Sequence, residues 1–298
     1  MFIEHIFSIL KINFIFTIQF LTLGNKIFKP KSQILQQYIE GFYFLTNKED
    51  DSTIEYFTFP NNYSILSVIE NAEIIYAENQ GLIKEKKGNF ICSDLICHYK
   101  KPIKLAYEGN INELTFYFKP LGLNAFLPKS LNNYLNDFFS GFIPFDDYTE
   151  CFTSILREKD FVKKCQMIED YWLSKLIGFN HSFLYDVVLD LKDNQNDYSI
   201  GHLAKKYNTS RQNLTKHFEI NIGKSPSDFK KIHRFRTALK SQINKNSHEN
   251  MALLSYDLLF YDQSHLIKDF KSLTGLTPKK FFKNITSKEN GEINWLFV

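Results

Sequence analysis

The chain contains one short pattern twice, at residues 210–229 (SRQNLTKHFEINIGKSPSDF) and at residues 262–281 (DQSHLIKDFKSLTGLTPKKF). The first copy carries Leu214, Phe218, Gly223, Pro226 and Phe229. The second copy has the same residue types 52 positions later, at Leu266, Phe270, Gly275, Pro278 and Phe281. Five matching positions in one register are hard to explain by chance, so the last third of the chain is predicted to contain a repeated structural unit.

Each position of the unit has a physical role in a pair of helices. Leu214 and Phe218 lie four residues apart and therefore share one helix face, which anchors the helix to a core. Gly223 follows where a left-handed residue can end that helix, and Ser225 with Pro226 is typical of the start of the next one. With a short helix before each unit, the pattern predicts two helix-turn-helix motifs joined by a basic helix over residues 227–243.

The charge distribution agrees with a DNA-binding role for this region. The whole chain of 298 residues has a net charge of only +3. Residues 199–285, however, contain 16 Lys and Arg against 6 Asp and Glu, whereas the remainder is mildly acidic. A basic module attached to an acidic one indicates a polyanion-binding part beside a part with another task, although lysines on solvated helices would produce a similar balance.

The outward faces of the two anchored helices supply the candidate DNA contacts. The second helix of such a motif lies in the major groove, where Arg and Lys match guanine and Gln matches adenine. The candidate base-reading residues are Arg211, Gln212, Thr215 and Lys216 in the first unit and Gln263, Ser264, His265 and Lys268 in the second. The candidate phosphate contacts are Ser210, Lys230, Lys231 and Arg234.

The pattern from Asp262 through Gln263, Ser264 and His265 to Pro278 resembles the signature of the AraC/XylS family of bacterial transcription regulators. The resemblance implies a seven-helix DNA-binding domain over residues 180–286 that contacts two successive major-groove segments. It implies base-reading roles for Gln212, Thr215, Lys216, Gln263, Ser264 and Lys268. One departure is Leu259, where the family usually has Gly, and it implies a less strict reading of DNA by the second unit.

The first half of the chain is predicted to be rich in strands. Short apolar and aromatic runs alternate with turn residues between residues 41 and 118, as in a small barrel or sandwich. Strands are expected at 41–45, 54–59, 64–69, 73–77, 103–107 and 113–118, and helices at 121–126, 131–139 and 148–176. Residues 116–122 are similar to the sensor half of some AraC-like regulators, which implies a small β-rich domain that senses a ligand.

These patterns predict a two-domain fold, with a β-rich N-terminal domain and flanking helices followed by an all-α double helix-turn-helix domain. The expected order is an apolar segment (1–25), a sensor domain (26–150), a helical linker or dimerisation region (151–179), the DNA-binding domain (180–286) and a tail (287–298). No nucleophile–base set or phosphate loop stands out, so an enzyme is not expected. Cys92 and Cys97 are interpreted as structural thiols rather than metal ligands, and no cofactor is expected.

The predicted function is a cytoplasmic, sequence-specific regulator with duplex DNA as its partner. A small-molecule effector, RNA polymerase and a second copy of the chain are further candidate partners, and membrane contact is not expected. Two alternatives stay open: an interaction protein that has kept the fold without reading DNA, and a regulator tethered to a membrane by the apolar residues 6–23.

Overall fold

The computed structural model describes residues 27–47, 54–135, 140–193, 196, 198–245 and 263–281, with only the backbone described at residues 140, 241–245 and 263–266. The predicted apolar segment and tail lie outside these residues. Within them, no helix has the length and apolar character needed to cross a bilayer.

The N-terminal part is a sandwich of two β-sheets preceded by a single turn of helix, α1 (Leu35–Tyr38). The strands are β1 (Ile39–Asn47), β2 (Ile54–Thr58), β3 (Ser64–Glu70), β4 (Ala72–Ala77), β5 (Gln80–Glu85), β6 (Ile91–Ile96), β7 (Ile103–Glu108), β8 (Ile111–Phe118) and β9 (Ser140–Gly141). The first sheet has the order β1-β8-β3-β6-β9 and the second β2-β7-β5-β4. All neighbouring strands are antiparallel except β5 and β7, which are parallel.

Strand β8 contributes side chains to two hydrophobic cores, which lie on opposite faces of the first sheet. Because side chains alternate along a strand, Leu114 and Phe116 point to one face of the sheet, whereas Thr115 and Tyr117 point to the other. The first face packs against the helices that follow the sandwich, around Trp172. The second face packs against the second sheet. Because its side chains alternate in this way, β8 packs against the second sheet on one face and against the helices on the other.

Eight α-helices are described among the residues that the structure covers, and seven of them follow the sandwich. They are α2 (Tyr148–Arg157), α3 (Phe161–Ser174), α4 (Leu184–Lys192), α5 (Ile200–Lys206), α6 (Arg211–Ile222), α7 (Pro226–Lys245) and α8 (Gln263–Thr274). This order of a β-sandwich and then helices confirms the predicted two-part fold. The predicted domain boundaries stay predictions.

Three of the predicted helices differ in the structure. The helix expected over 131–139 is a 3-10 helix at Leu131–Tyr134, and residues 136–139 lie outside the described residues. The helix expected over 148–176 is divided into α2 and α3, because the Asp160 side chain accepts a hydrogen bond from the Lys163 amide (2.7 Å) and starts a new helix. The helix expected over 121–126 is reduced to a 3-10 turn (Leu123–Ala125). Leu121 has a positive φ of 66°, a left-handed conformation that prevents a helix from starting there.

Gly122 lies where two segments of backbone come close together. A Cβ atom at this position would collide with the Tyr38 carbonyl oxygen and lie 2.9 Å from that of Lys119. We expect Gly122→Ala to destabilise the protein by about 1–3 kcal/mol, since neither backbone can yield without moving a packed element. Urea unfolding will measure this. Gly141→Ala is the control, because a Cβ atom added there would meet nothing within 4 Å, and equal losses in both variants would contradict the prediction.

Candidate nucleic-acid interface

Helices α5 and α6 form the first helix-turn-helix. Both begin at a capping serine: Ser199 accepts a hydrogen bond from the His202 amide, and Ser210 accepts one from the Asn213 amide (both 3.1 Å). Asn208 takes a left-handed conformation in the turn between them, with a φ of 51°. The caps and the turn fix where α6 begins, and therefore which of its residues face outward.

The end of α6 has the geometry that the repeated pattern predicts. Gly223 has a φ of 75°, and its amide donates to the Glu219 carbonyl oxygen at 3.2 Å, so it ends the helix in a left-handed conformation. Ser225 then accepts a hydrogen bond from the Asp228 amide (3.1 Å) at the start of α7. The ring of Phe229 packs edge-on against Phe218 at 5.9 Å, which holds the new helix to the same core.

The outward face of α6 is open. Arg211, Gln212 and Lys216 are exposed and Thr215 is half-buried, whereas Leu214 and Phe218 are fully buried beneath them. With Ser210 and Glu219, the four candidate base-reading residues line a surface depression of about 700 Å³. The structure therefore brings together all four residues predicted for the first unit.

The second unit is described only from α8 onward. Lys268 is exposed on this helix, and Phe270 and Phe281 are buried in a cluster with Phe235 of α7. Gly275 ends the helix with a φ of 74°, the counterpart of Gly223. The side chains of Gln263, Ser264 and His265 lie outside the described residues, as does Leu259.

The candidate phosphate contacts on α7 have partners within the protein. The Lys230 ammonium donates to the Tyr198 carbonyl oxygen. Lys231 lies 3.9 Å and Arg234 3.5 Å from the carboxylate of Asp269 on α8. These contacts hold α7 against its neighbours, and all three side chains stay partly exposed.

Sequence reasoning missed a contact between the two parts of the protein. Residues 59–62, here called the latch, connect β2 to β3 and lie against the helix-turn-helix region. The Arg236 guanidinium donates to the Pro60 carbonyl oxygen (2.8 Å) and to that of Phe59. Arg236 follows the buried Ile232 by four residues, a spacing that places both on one helix face and could have indicated its inward orientation.

Further latch contacts reach both helix-turn-helix units. The Lys224 ammonium is buried and donates to the Asn61 carbonyl oxygen at 2.7 Å, and burial lowers the pKa of Lys224 to about 8. The Asn62 amide donates to the Phe229 carbonyl oxygen at 2.9 Å. The Phe59 ring packs edge-on against Phe281 at 5.2 Å, beyond α8. The latch thus ties the sandwich to the first unit, the connecting helix and the second unit.

Comparison with known proteins identifies the same region. Residues 203–284 match a family model described as a helix-turn-helix domain. An uncharacterised HTH-type transcriptional regulator of Haemophilus influenzae is 28% identical over 96 residues. That match covers 32% of this chain and 32% of the length of the relative.

Solved structures of ToxT from Vibrio cholerae also resemble the chain. A 1.65 Å structure has a TM-score of 0.43 and 13% identity, covering 81% of this chain and 98% of ToxT. A structure of ToxT bound to an unsaturated fatty acid has a TM-score of 0.41 and 12% identity, covering 83% of this chain and 97% of ToxT.

The repeated anchor residues, the capped helices and the match over residues 203–284 agree with one another. Residues 203–284 of this chain therefore form a helix-turn-helix domain, in the region where the sequence resembles the AraC/XylS signature.

Proposed function

We propose that the chain is a sequence-specific DNA-binding regulator whose helices α6 and α8 enter successive segments of the major groove. The observation that carries the proposal is the outward face of α6, where Arg211, Gln212 and Lys216 are exposed above a fully buried anchor. Guanidinium, amide and ammonium groups are those that read base edges, and a capped helix start offers amides to phosphate. Lys268 on α8 is exposed as well, in the second copy of the unit.

The N-terminal sandwich is proposed to sense a small molecule and to pass its state to the helices through the latch. Support comes from the latch contacts, which connect the loop after β2 with α7 and with Phe281. Binding of a ligand can change DNA affinity only if it favours one arrangement of these parts over another. Self-association and contact with RNA polymerase stay predictions from the sequence.

The proposal predicts that two lysines contribute strongly to DNA binding. The double variant Lys216→Ala with Lys268→Ala is expected to bind duplex DNA about ten- to a hundredfold more weakly, because each lysine supplies a cation to the groove or the phosphates. The probe is a duplex selected from source-genome fragments by the wild-type protein. Gel-shift titrations at two salt concentrations will measure the affinity and its salt dependence.

A matched variant separates local contacts from general charge. Lys87→Ala with Lys101→Ala removes the same charge from exposed positions on the sandwich, and its affinity is expected to equal that of the wild type. If both double variants bind DNA equally weakly, the loss of affinity results from the lower net charge and not from contacts at the interface. Unchanged affinity in the first variant would contradict the assigned interface, and equally tight wild-type binding to scrambled duplexes would contradict sequence-specific reading.

A further inference from the structure

A small cavity lies between the two sheets of the sandwich, and its walls are unusually rich in tyrosine. It has a volume of about 40 Å³, and its lining includes Tyr43, Tyr56, Tyr99, Tyr107 and Tyr117. All five side chains are buried, and they come from both sheets and from the segment after β6. The rings of Tyr56 and Tyr107 are stacked at 5.9 Å, with a hydroxyl-to-hydroxyl distance of 3.2 Å. The cavity is therefore surrounded by ring surfaces and hydroxyl groups.

A buried carboxyl group lies beside this cavity. Glu113 is only 1% exposed, and it lies two residues before the cavity-lining Thr115, on the same face of β8. The Thr115 hydroxyl donates to Glu113 Oε1 at 2.7 Å. Oε2 of Glu113 is buried and has no hydrogen-bond partner of ordinary geometry among the described residues, although the hydroxyl groups of Ser67 and Tyr107 act on the carboxyl group. Burial raises the pKa of Glu113, as expected for a carboxyl group whose negative charge has no nearby cation.

A second carboxyl group faces the same interior. Asp94 on β6 is paired in register with Ser67 of β3, and Ser67 is in turn paired with Thr115 of β8. Asp94 is 5% exposed, and burial, followed by the charge of Glu113, raises its pKa to about 7. Glu113 lies in the neighbouring row, in register with Ile69 of β3, so the two acids share one buried face of the first sheet.

The described lining of the cavity contains no Lys, Arg or His that could balance these acids. A cation outside the lining, Arg236, acts through its charge on Tyr99 and Tyr117. Its guanidinium is directed to the carbonyl oxygens of Phe59 and Pro60 in the latch. The interior therefore combines acids and aromatic rings and lacks a basic group of its own.

We propose that this cavity binds a small organic cation, a short alkylammonium group, with Glu113 and Asp94 as its counter-charges and the tyrosine rings as its walls. A cation over aromatic faces is attracted by the ring electrons, and it would also give Glu113 Oε2 a partner. A carboxylate ligand would add a third acid to the same interior and bring no positive charge. A neutral ligand would not favour the ionised form of either acid, which burial disfavours.

The volume of the cavity limits the size of the ligand that it can hold. One water-sized position occupies roughly 10–15 Å³, so the cavity accepts about three heavy atoms without rearrangement. Ethylammonium has that size. For a well-fitting ligand of this size, the dissociation constant is expected to be about 1 mM.

The cavity lies next to the latch, so a bound cation can influence the contacts between the latch and the helices. Thr58 and Tyr99 line the cavity, and the Tyr99 hydroxyl donates to the Phe59 carbonyl oxygen (2.5 Å), the atom that Arg236 also contacts. The regulatory meaning of the site, but not the binding itself, rests on the proposed function.

Ethylammonium chloride, titrated into the full chain at constant ionic strength, tests the proposal. About 100 mM ligand is expected to raise the thermal midpoint by about 5 °C, and calorimetry is expected to give a dissociation constant of about 1 mM. Ethanol has the same number of heavy atoms and no charge, and acetate has the opposite charge, so neither is expected to bind. Ethanol or acetate binding as tightly as ethylammonium, or no binding of ethylammonium, would overturn the proposal.

Two variants locate the binding. Glu113→Gln keeps the shape of the side chain and removes its charge, and it is expected to weaken ethylammonium binding at least tenfold. Glu78→Gln, at an exposed position in the same sandwich, is expected to bind as the wild type does. If Glu113→Gln does not fold, the comparison of the three ligands on the wild-type protein still decides the question. Because no DNA is present, a failure here is distinct from a failure of the proposed DNA binding.

Discussion

Trp172→Ala is expected to destabilise the folded protein by about 3–5 kcal/mol, a large part of the stability of an ordinary domain. Trp172 of α3 is fully buried, and its ring lies 5.6 Å from Phe116, 4.9 Å from Phe118 and 5.2 Å from Phe126. The substitution would leave a cavity among rings on two separate segments, neither of which can close it without moving backbone. Urea unfolding followed by far-ultraviolet circular dichroism will measure the loss.

Two controls separate the cavity from other effects of the substitution. Trp172→Phe keeps a ring in the same place and is expected to lose less than half as much. Phe161→Ala removes a half-exposed ring from the start of the same helix and is expected to cost about 1 kcal/mol. A loss below 1 kcal/mol in Trp172→Ala would show that α3 does not depend on this contact with the first sheet.

The strands that the sequence predicted share one property: their apolar residues form uninterrupted or alternating runs. β3 and β8 are examples, and the structure places both inside the first sheet, with a neighbouring strand on either side. β5 was missed because polar residues interrupt its apolar pattern at its Lys84–Glu85 end. In β6, Asp94 is an acid that only tertiary contacts place inside.

The candidate interface was predictable to a larger extent, because local rules determine it. Caps, a glycine that ends a helix and anchors four residues apart act within one or two turns of helix, so α6 appears in the structure as its sequence predicts. The latch was not predictable in the same way. Arg236 and Lys224 bind backbone carbonyl oxygens of residues 59–61, and every residue has such an oxygen, so no side-chain pattern marks the partner.

Arg236→Met is expected to uncouple the sandwich from the helix-turn-helix region. The substitution keeps most of the apolar stem and removes the guanidinium, so the carbonyl oxygens of Phe59 and Pro60 lose their donors. A hydrogen bond to a charged group contributes about 1.5–3 kcal/mol, so about 3–5 kcal/mol of contact between the two parts should be lost. We therefore expect thermal unfolding to separate into two transitions, with the helical part melting first.

Two variants test whether the guanidinium acts through its geometry. Arg236→Lys keeps the positive charge but reaches only one carbonyl oxygen at a time, so its melting curve is expected to lie between those of the wild type and Arg236→Met. Lys240→Met removes a cation from an exposed position on the same helix and is expected to leave the curve unchanged. If Arg236→Met unfolds in one transition within about 1 °C of the wild type, the bonds from Arg236 to the latch do not hold the two parts together.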